Sequence, residues 1–202
     1  MPNNQWISTT SAVHPGFILG VGTNIDPEHN AARMLDRLSA QFGRTLVSRC
    51  YYTDPVGIAT SHPFVNCCVY IQSDLSWSEC KAACVGIEIA LGRDRSDPCC
   101  KTRDRPADID IVAQIAEGRS DADLSIEVDS YLAQPLAEIV SVINPGIAMP
   151  EPRGLVCSLL LAGTTLGQSP ATIDRDDSAC LVRVRQDGRN GEHDRFGATF
   201  LA

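Results

Sequence analysis

Residues 105–111, Arg105-Pro106-Ala107-Asp108-Ile109-Asp110-Ile111, read as a strand with two carboxylates on one face and two isoleucines on the other. Side chains alternate across a strand, so Asp108 and Asp110 point together while Ile109 and Ile111 point the other way, into a core. Paired carboxylates are a usual means of holding Mg²⁺ against nucleotide phosphates. The same pair equally suits the solvated face of an amphipathic strand. Just upstream, Arg93, Arg95, Lys101, Arg103 and Arg105 crowd the approach to it. Guanidinium forks bind phosphate oxygens bidentately. Asp94, Asp97 and Asp104 in the same stretch also fit a mixed-charge loop that neutralises its own arginines.

This strand closes a series. Phe17 to Gly22 is a short apolar run ending in glycine, as a buried strand does. Asp26 with Pro27 starts a helix that carries Met34, Leu35, Leu38 and Phe42 at helical spacing and stops at Gly43. Thr45 to Tyr52 and Val65 to Gln72 are β-rich runs flanking a loop too long for a tight hairpin. Ser76 and Glu79 form a capping box, and Trp77, Ala83, Cys84, Ile87 and Leu91 lead to a stop at Gly92. The order is β-α-β-β-α-β, an α+β fold of ferredoxin-like topology with a four-stranded antiparallel sheet and two helices on one face. Ser130 to Ile143 adds a C-terminal helix, and residues 155–166 and 179–185 read as extra strands. Residues 167–178 and 187–195, the latter with a solvated His193, read as exposed loops. The chain divides into a polar lead (1–15), the main domain (16–150) and a C-terminal extension (151–202).

The 202 residues, 44% of them hydrophobic, are enough for one domain with a real core. A net charge of −8 argues against nucleic acid or anionic membranes as general partners, because both rely on an excess of Lys and Arg. There is no apolar run of about 18 residues, and Met1 to Val13 lacks the basic-then-apolar pattern of a secretion signal. Nine cysteines, an odd count, point to reduced thiols rather than a disulfide framework, and none are spaced as paired zinc ligands. A cytoplasmic protein is expected.

Taken in order, several segments resemble the 6-hydroxymethyl-7,8-dihydropterin pyrophosphokinases of folate biosynthesis. They are Gly22-Thr23-Asn24, Tyr52-Thr53-Asp54-Pro55-Val56-Gly57, Phe64-Val65-Asn66, Ile87-Glu88 and Gly92-Arg93-Asp94-Arg95. Arg105 through Asp108-Ile109-Asp110-Ile111 and Pro135-Leu136-Ala137-Glu138-Ile139 complete the set. The resemblance implies a transferase, a kinase-type enzyme that moves pyrophosphate from ATP to the hydroxymethyl group of a reduced pterin. It implies that Asp108 and Asp110 hold two Mg²⁺ and that Arg93, Arg95 and Arg105 grip phosphates. Glu88 and the backbone near Ile111 fall where the family reads adenosine. Phe64 and Tyr131 fall where it supplies aromatic faces to the pterin. Asn66 and Thr53, helped by backbone around Asp54 and Val56, fall where it reads the edge of the ring. Small molecules, ATP and the pterin, are the implied partners.

Two segments depart from the family. Asp97 to Asp104 is a longer mobile loop without the family's tryptophan. Ser125-Ile126-Glu127-Val128-Asp129-Ser130 replaces a Val-Pro-His segment and a following arginine that touch ATP phosphates. A second reading therefore stands beside the enzyme: a pterin-binding or regulatory homologue with impaired transfer. A third is an unrelated ferredoxin-like domain whose likeness goes no deeper than the fold.

Overall fold

In a computed structural model of the chain, the structure describes residues 14–116, 126–144, 146–176, 181–186 and 197–200. Most of the polar lead, Ser125 and the 187–195 loop with His193 lie outside the described residues. The elements run β1 (Gly16–Thr23), α1 (Pro27–Phe42), β2 (Thr45–Val47), β3 (Tyr51–Thr53), β4 (Phe64–Gln72), α2 (Trp77–Ala90), β5 (Asp108–Ile115) and α3 (Ser130–Ile143). Six short strands follow: β6 (Leu155–Val156), β7 (Leu159–Leu161), β8 (Thr164–Leu166), β9 (Ala171–Asp176), β10 (Leu181–Gln186) and β11 (Gly197–Phe200). The fold is α+β, with three helices and a mainly antiparallel sheet. No helix of the described residues is long and apolar enough to cross a membrane.

The sheet order is β11-β10-β9-β2-β4-β1-β5, with β3 and β6 continuing one corner, so the expected four strands are extended to nine. The extension begins where residues 167–178 were expected to be an exposed loop. There β9 pairs with β2, placing Ile173 opposite Thr45. In Ala171-Thr172-Ile173-Asp174-Arg175-Asp176 only Ala171 and Ile173 are apolar, and both are buried in the core, with Thr172 buried between them. The charged run Asp174-Arg175-Asp176 that follows disguises a half-buried strand as a loop.

The run Thr45 to Tyr52 also differs from its sequence reading, because it breaks into β2 and β3. At the break the Ser48 hydroxyl accepts the Cys68 N–H at 2.9 Å and donates to the Arg49 carbonyl at 2.8 Å. The Arg49 N–H turns to Glu138 at 2.9 Å, and the Cys50 N–H turns to the Gly167 carbonyl at 2.9 Å. Every backbone donor released by the interruption thus finds a new acceptor, which is what makes the kink tolerable.

Strand parity divides the core. Phe17, Leu19 and Val21 of β1, with Cys67, Val69 and Ile71 of β4, pack against α1 and α2 in the larger cluster. Ile18, Cys68 and Tyr70 face the other way, onto Leu132, Leu136 and Ile139 of α3. α2 begins at a capping box in which the Ser76 backbone N–H bonds Glu79 at 2.8 Å and the Ser76 hydroxyl accepts the Glu79 N–H. It ends at Leu91, followed by Gly92 at φ +95°, a left-handed position that glycine takes without strain.

Candidate active site

On the α3 side of the sheet the same parity lines up a row of polar residues. Gly22 of β1 pairs with Asn66 of β4 on one side and with Asp108 of β5 on the other, while Gly20 pairs with Cys68 and Asp110. Thr53 of β3 pairs with Phe64, two residues from Asn66 and therefore on its face. The centre of this row is glycine. A β-carbon at Gly22 would run into Oδ1 of Asn66, and one at Gly20 would press on Leu132. The missing side chains leave a pocket above the sheet, roofed at the start of α3 by Tyr131 and Leu132. Thr53, Asp54, Val56, Phe64, Asn66, Arg105, Asp108, Asp110 and Tyr131 all line it. These include the two expected metal ligands and the whole expected pterin set.

At one end of the pocket the carboxylates are wrapped in cationic side chains. Asp108 accepts from Arg93 Nη1 through one oxygen and from Arg105 Nη1 through the other, the latter at 2.6 Å. Asp110 accepts from Lys81 Nζ at 2.9 Å. Burial alone would lower the pKa of Arg93. The Asp108 hydrogen bond and the charges of Asp108, Glu88 and Asp110 outweigh it and hold the pKa above the ordinary arginine value. Arg105 also lies over the Phe64 ring, 6.0 Å from its centroid, and so touches both ends of the pocket.

Two of the residues expected to contact the nucleotide, Glu88 and Arg93, are engaged within the protein. Glu88 has no exposed side-chain surface. Its Oε1 accepts from Arg93 Nη1 at 2.9 Å and from the Ile109 N–H at 2.7 Å. Its Oε2 accepts from Arg95 Nε at 2.7 Å. Both oxygens of this buried carboxylate are thus occupied within the protein, where they anchor the edge of β5. Arg93, its side chain 7% exposed, is fixed by Glu88, Asp108 and the Ala107 carbonyl, so in this arrangement it orients Asp108 instead of facing a phosphate. Neither residue lines the pocket, and nor do Arg95 or Ile111.

The reason lies in β5, which ends the sheet. Alternate residues of an edge strand direct their N–H and C=O groups outward, and these need partners. For Ile109 the partners come from one face of α2, seven residues apart: Glu88 takes the N–H and Lys81 donates to the carbonyl at 3.2 Å. Ile111 directs its backbone the same way.

At the other end Asn66 Nδ2 donates to Thr53 Oγ1 at 2.6 Å, which leaves the amide oxygen turned toward Gly22. The Tyr131 hydroxyl donates to Asp129 at 3.1 Å. Burial first, then that bond and the charges of Asp129, Asp108 and Asp110, push the Tyr131 phenol up to about 12, so it stays neutral. The Thr23-Asn24 pair had a place in the sequence resemblance without a role. It fastens the arginine segment: Thr23 Oγ1 donates to the Arg105 carbonyl at 3.0 Å, Asn24 Oδ1 accepts the Arg105 N–H at 2.8 Å, and Asn24 Nδ2 donates to Asp104 at 2.6 Å.

Sequence reasoning missed Lys81, Gly20 as a pocket-maker, and Ile58 and Leu132 as lining. The i, i+7 spacing of Lys81 and Glu88 on α2 was a legible signal, but nothing in the sequence says which strand that face meets. Among the described residues no three His, Cys, Asp or Glu side chains gather as a closed metal cage. Such a sparse oxygen set suits Mg²⁺, which takes one or two carboxylates and completes its shell with water and substrate phosphates. The three cations now on Asp108 and Asp110 show that the pair attracts positive charge.

The sequence model of the family described as 7,8-dihydro-6-hydroxymethylpterin-pyrophosphokinase matches residues 18–153. The chain is 35% identical over 96 residues to two strains' versions of a Porphyromonas gingivalis protein named 2-amino-4-hydroxy-6-hydroxymethyldihydropteridine pyrophosphokinase. That match takes in 46% of this chain and 65% of the relative, so the chain spans just under two thirds of its length. A Methylorubrum extorquens protein of the same name is 30% identical over 152 residues, 68% of this chain and 94% of its own.

Proposed function

The chain belongs to the 7,8-dihydro-6-hydroxymethylpterin-pyrophosphokinase family, and from that membership we propose that it transfers pyrophosphate from ATP to the hydroxymethyl group of 6-hydroxymethyl-7,8-dihydropterin in folate biosynthesis. One observation carries the reading: a single pocket is lined both by Phe64, Tyr131, Asn66 and Thr53 and by the carboxylate pair Asp108 and Asp110. The order β2-β4-β1-β5 with α1 and α2 on one face supports a ferredoxin-like assignment of the central sheet.

In this reading the pterin lies between Phe64 and Tyr131, with its amide-like edge against Asn66 and Thr53 and the backbone near Asp54 and Val56. The hydroxymethyl group then points toward Asp108 and Asp110. Its oxygen attacks the β-phosphorus of ATP, the bond from that phosphorus to the α-phosphate oxygen breaks, and AMP leaves. Asp108 and Asp110 would hold Mg²⁺, which when bound screens the phosphate charge and orients the reactants. Arg105 lines the pocket and would reach a phosphate there; Arg95, 32% exposed and paired with Glu88, would be a second contact. Arg93 and Glu88 hold Asp108 and β5 in place. The outward backbone of Ile111 is the edge left to read adenosine. Catalysis is then positioning and charge neutralisation, with little covalent work for the protein. A cytoplasmic location belongs to the same proposal and rests on the odd set of nine cysteines.

The test is turnover with ATP, Mg²⁺ and 6-hydroxymethyl-7,8-dihydropterin, following AMP. AMP should form only when the pterin is present, and Asp110→Ala, which removes a charge from a largely exposed position, should stay folded and lose the activity. Pterin binding by calorimetry without any AMP would instead favour the binding homologue.

A further inference from the structure

We propose that Lys81 is an intrinsic counter-cation for Asp110, which it occupies in the free protein and gives up when a divalent cation arrives. The inference rests on the reading that Asp108 and Asp110 are the metal-holding pair. The two carboxylates are neutralised in different ways. Asp108 is gripped by guanidinium groups whose side chains are only 7% and 14% exposed, Arg93 being further tied to Glu88 and the Ala107 carbonyl. Asp110, 66% exposed, is met by one ammonium on a flexible stem that is itself 35% exposed.

Lys81 does not share the pocket's side of the sheet. It rises from α2, on the opposite face, passes the free edge of β5 and touches the Ile109 carbonyl on the way to Asp110 Oδ1. Its position between the outward backbone at 109–111 and the carboxylate puts it on the margin that a nucleotide must cross. An ammonium and a divalent cation that share one carboxylate oxygen repel each other across a few ångströms, so occupancy by one weakens the other. The bond to the Ile109 carbonyl is a structural role, which any neutral donor would also fill; competition with a metal needs the charge.

The experiment is Mn²⁺ binding without nucleotide, followed by electron paramagnetic resonance, for the unaltered chain, Lys81→Met, Lys81→Gln, Lys81→Arg and Asp110→Asn, each checked for folding by near-UV circular dichroism. Both neutral variants should bind Mn²⁺ about fivefold to tenfold more tightly, Lys81→Arg should match the unaltered chain, and Asp110→Asn should bind more weakly. Lys81→Gln can still donate to Ile109, so tightening in it survives any loss of fold in Lys81→Met. If Asp110→Asn weakens binding but neither neutral variant tightens it, the counter-cation role is wrong and the metal assignment stands. If Asp110→Asn binds Mn²⁺ as well as the unaltered chain, the metal assignment fails and takes the counter-cation role with it.

Discussion

Asn66 occupies the junction on which the pocket depends. Its amide donates to Thr53, and its oxygen sits where a β-carbon of residue 22 would otherwise be. Asn66→Ala should weaken pterin binding by roughly 1–3 kcal/mol by leaving the ring edge unpaired, measured by calorimetry; unchanged affinity would put the pterin elsewhere. Gly22→Ala should act on the same contact from below, displacing the amide and lowering pterin affinity while ATP affinity holds. Glu88 answers to a different measurement. Removing it strands Arg93, Arg95 and the Ile109 N–H beneath the site, and breaking a buried ion pair typically costs about 3–5 kcal/mol, so Glu88→Ala should show mainly in urea denaturation. Asp108 and Asp110 stood out in sequence as a carboxylate pair on one strand face, whereas Phe64 and Asn66 were singled out only through the family resemblance. The bonds between Glu88 and Arg93 were not legible, since a carboxylate and an arginine look alike in sequence whatever they face.

Among the elements, the loops at 54–63 and 94–107 are clasped across the mouth of the pocket. His62 Nδ1 lies 2.6 Å from one oxygen of Asp104, and Asn24 donates to the other. The Thr60 hydrogen bond, ahead of those from His62 and Asn24, holds the Asp104 carboxyl below its ordinary value of 3.8. Because the folded value lies below the unfolded one, this contribution is present above about pH 3.8 and is lost as pH falls through the lowered folded value. Urea stability of the unaltered chain should therefore exceed that of Asp104→Asn at pH 5, and the gap should close on acidification; a gap independent of pH would contradict the clasp. The helices were readable to within a residue or so, from Pro27, the Ser76 capping box and the spacing of Leu132, Leu136 and Ile139. The break between β2 and β3 was not. It depends on Glu138 and Gly167, which supply the acceptors from 89 and 117 positions away.

For the whole molecule, the sheet passes without interruption from the pocket strands into the last fifty residues. Leu159, Leu161, Leu166, Ile173, Val182 and Val184 are buried in the same cluster as Leu35 and Leu38 of α1. At about 1.5–3 kcal/mol for each buried aliphatic side chain, they match the entire net stability of a typical domain, about 5–15 kcal/mol. The division proposed at residue 150 thus separates the pocket residues from an extension, not two folding units, and a chain ending there should fail to show a cooperative melt. That dependence was hidden in the sequence because β9 carries only two apolar residues ahead of a charged run and β10 alternates valine with arginine, so only long-range pairing reveals their inner face. The proposed reaction would join a pterin to two phosphates of ATP in one step. Phosphorus NMR of the protein with ATP, Mg²⁺ and 6-hydroxymethyl-7,8-dihydropterin tests it most directly: AMP and a pterin diphosphate should appear together and in equal amounts, whereas ADP with inorganic phosphate, or no change in the ATP signals while the pterin is bound, would contradict it.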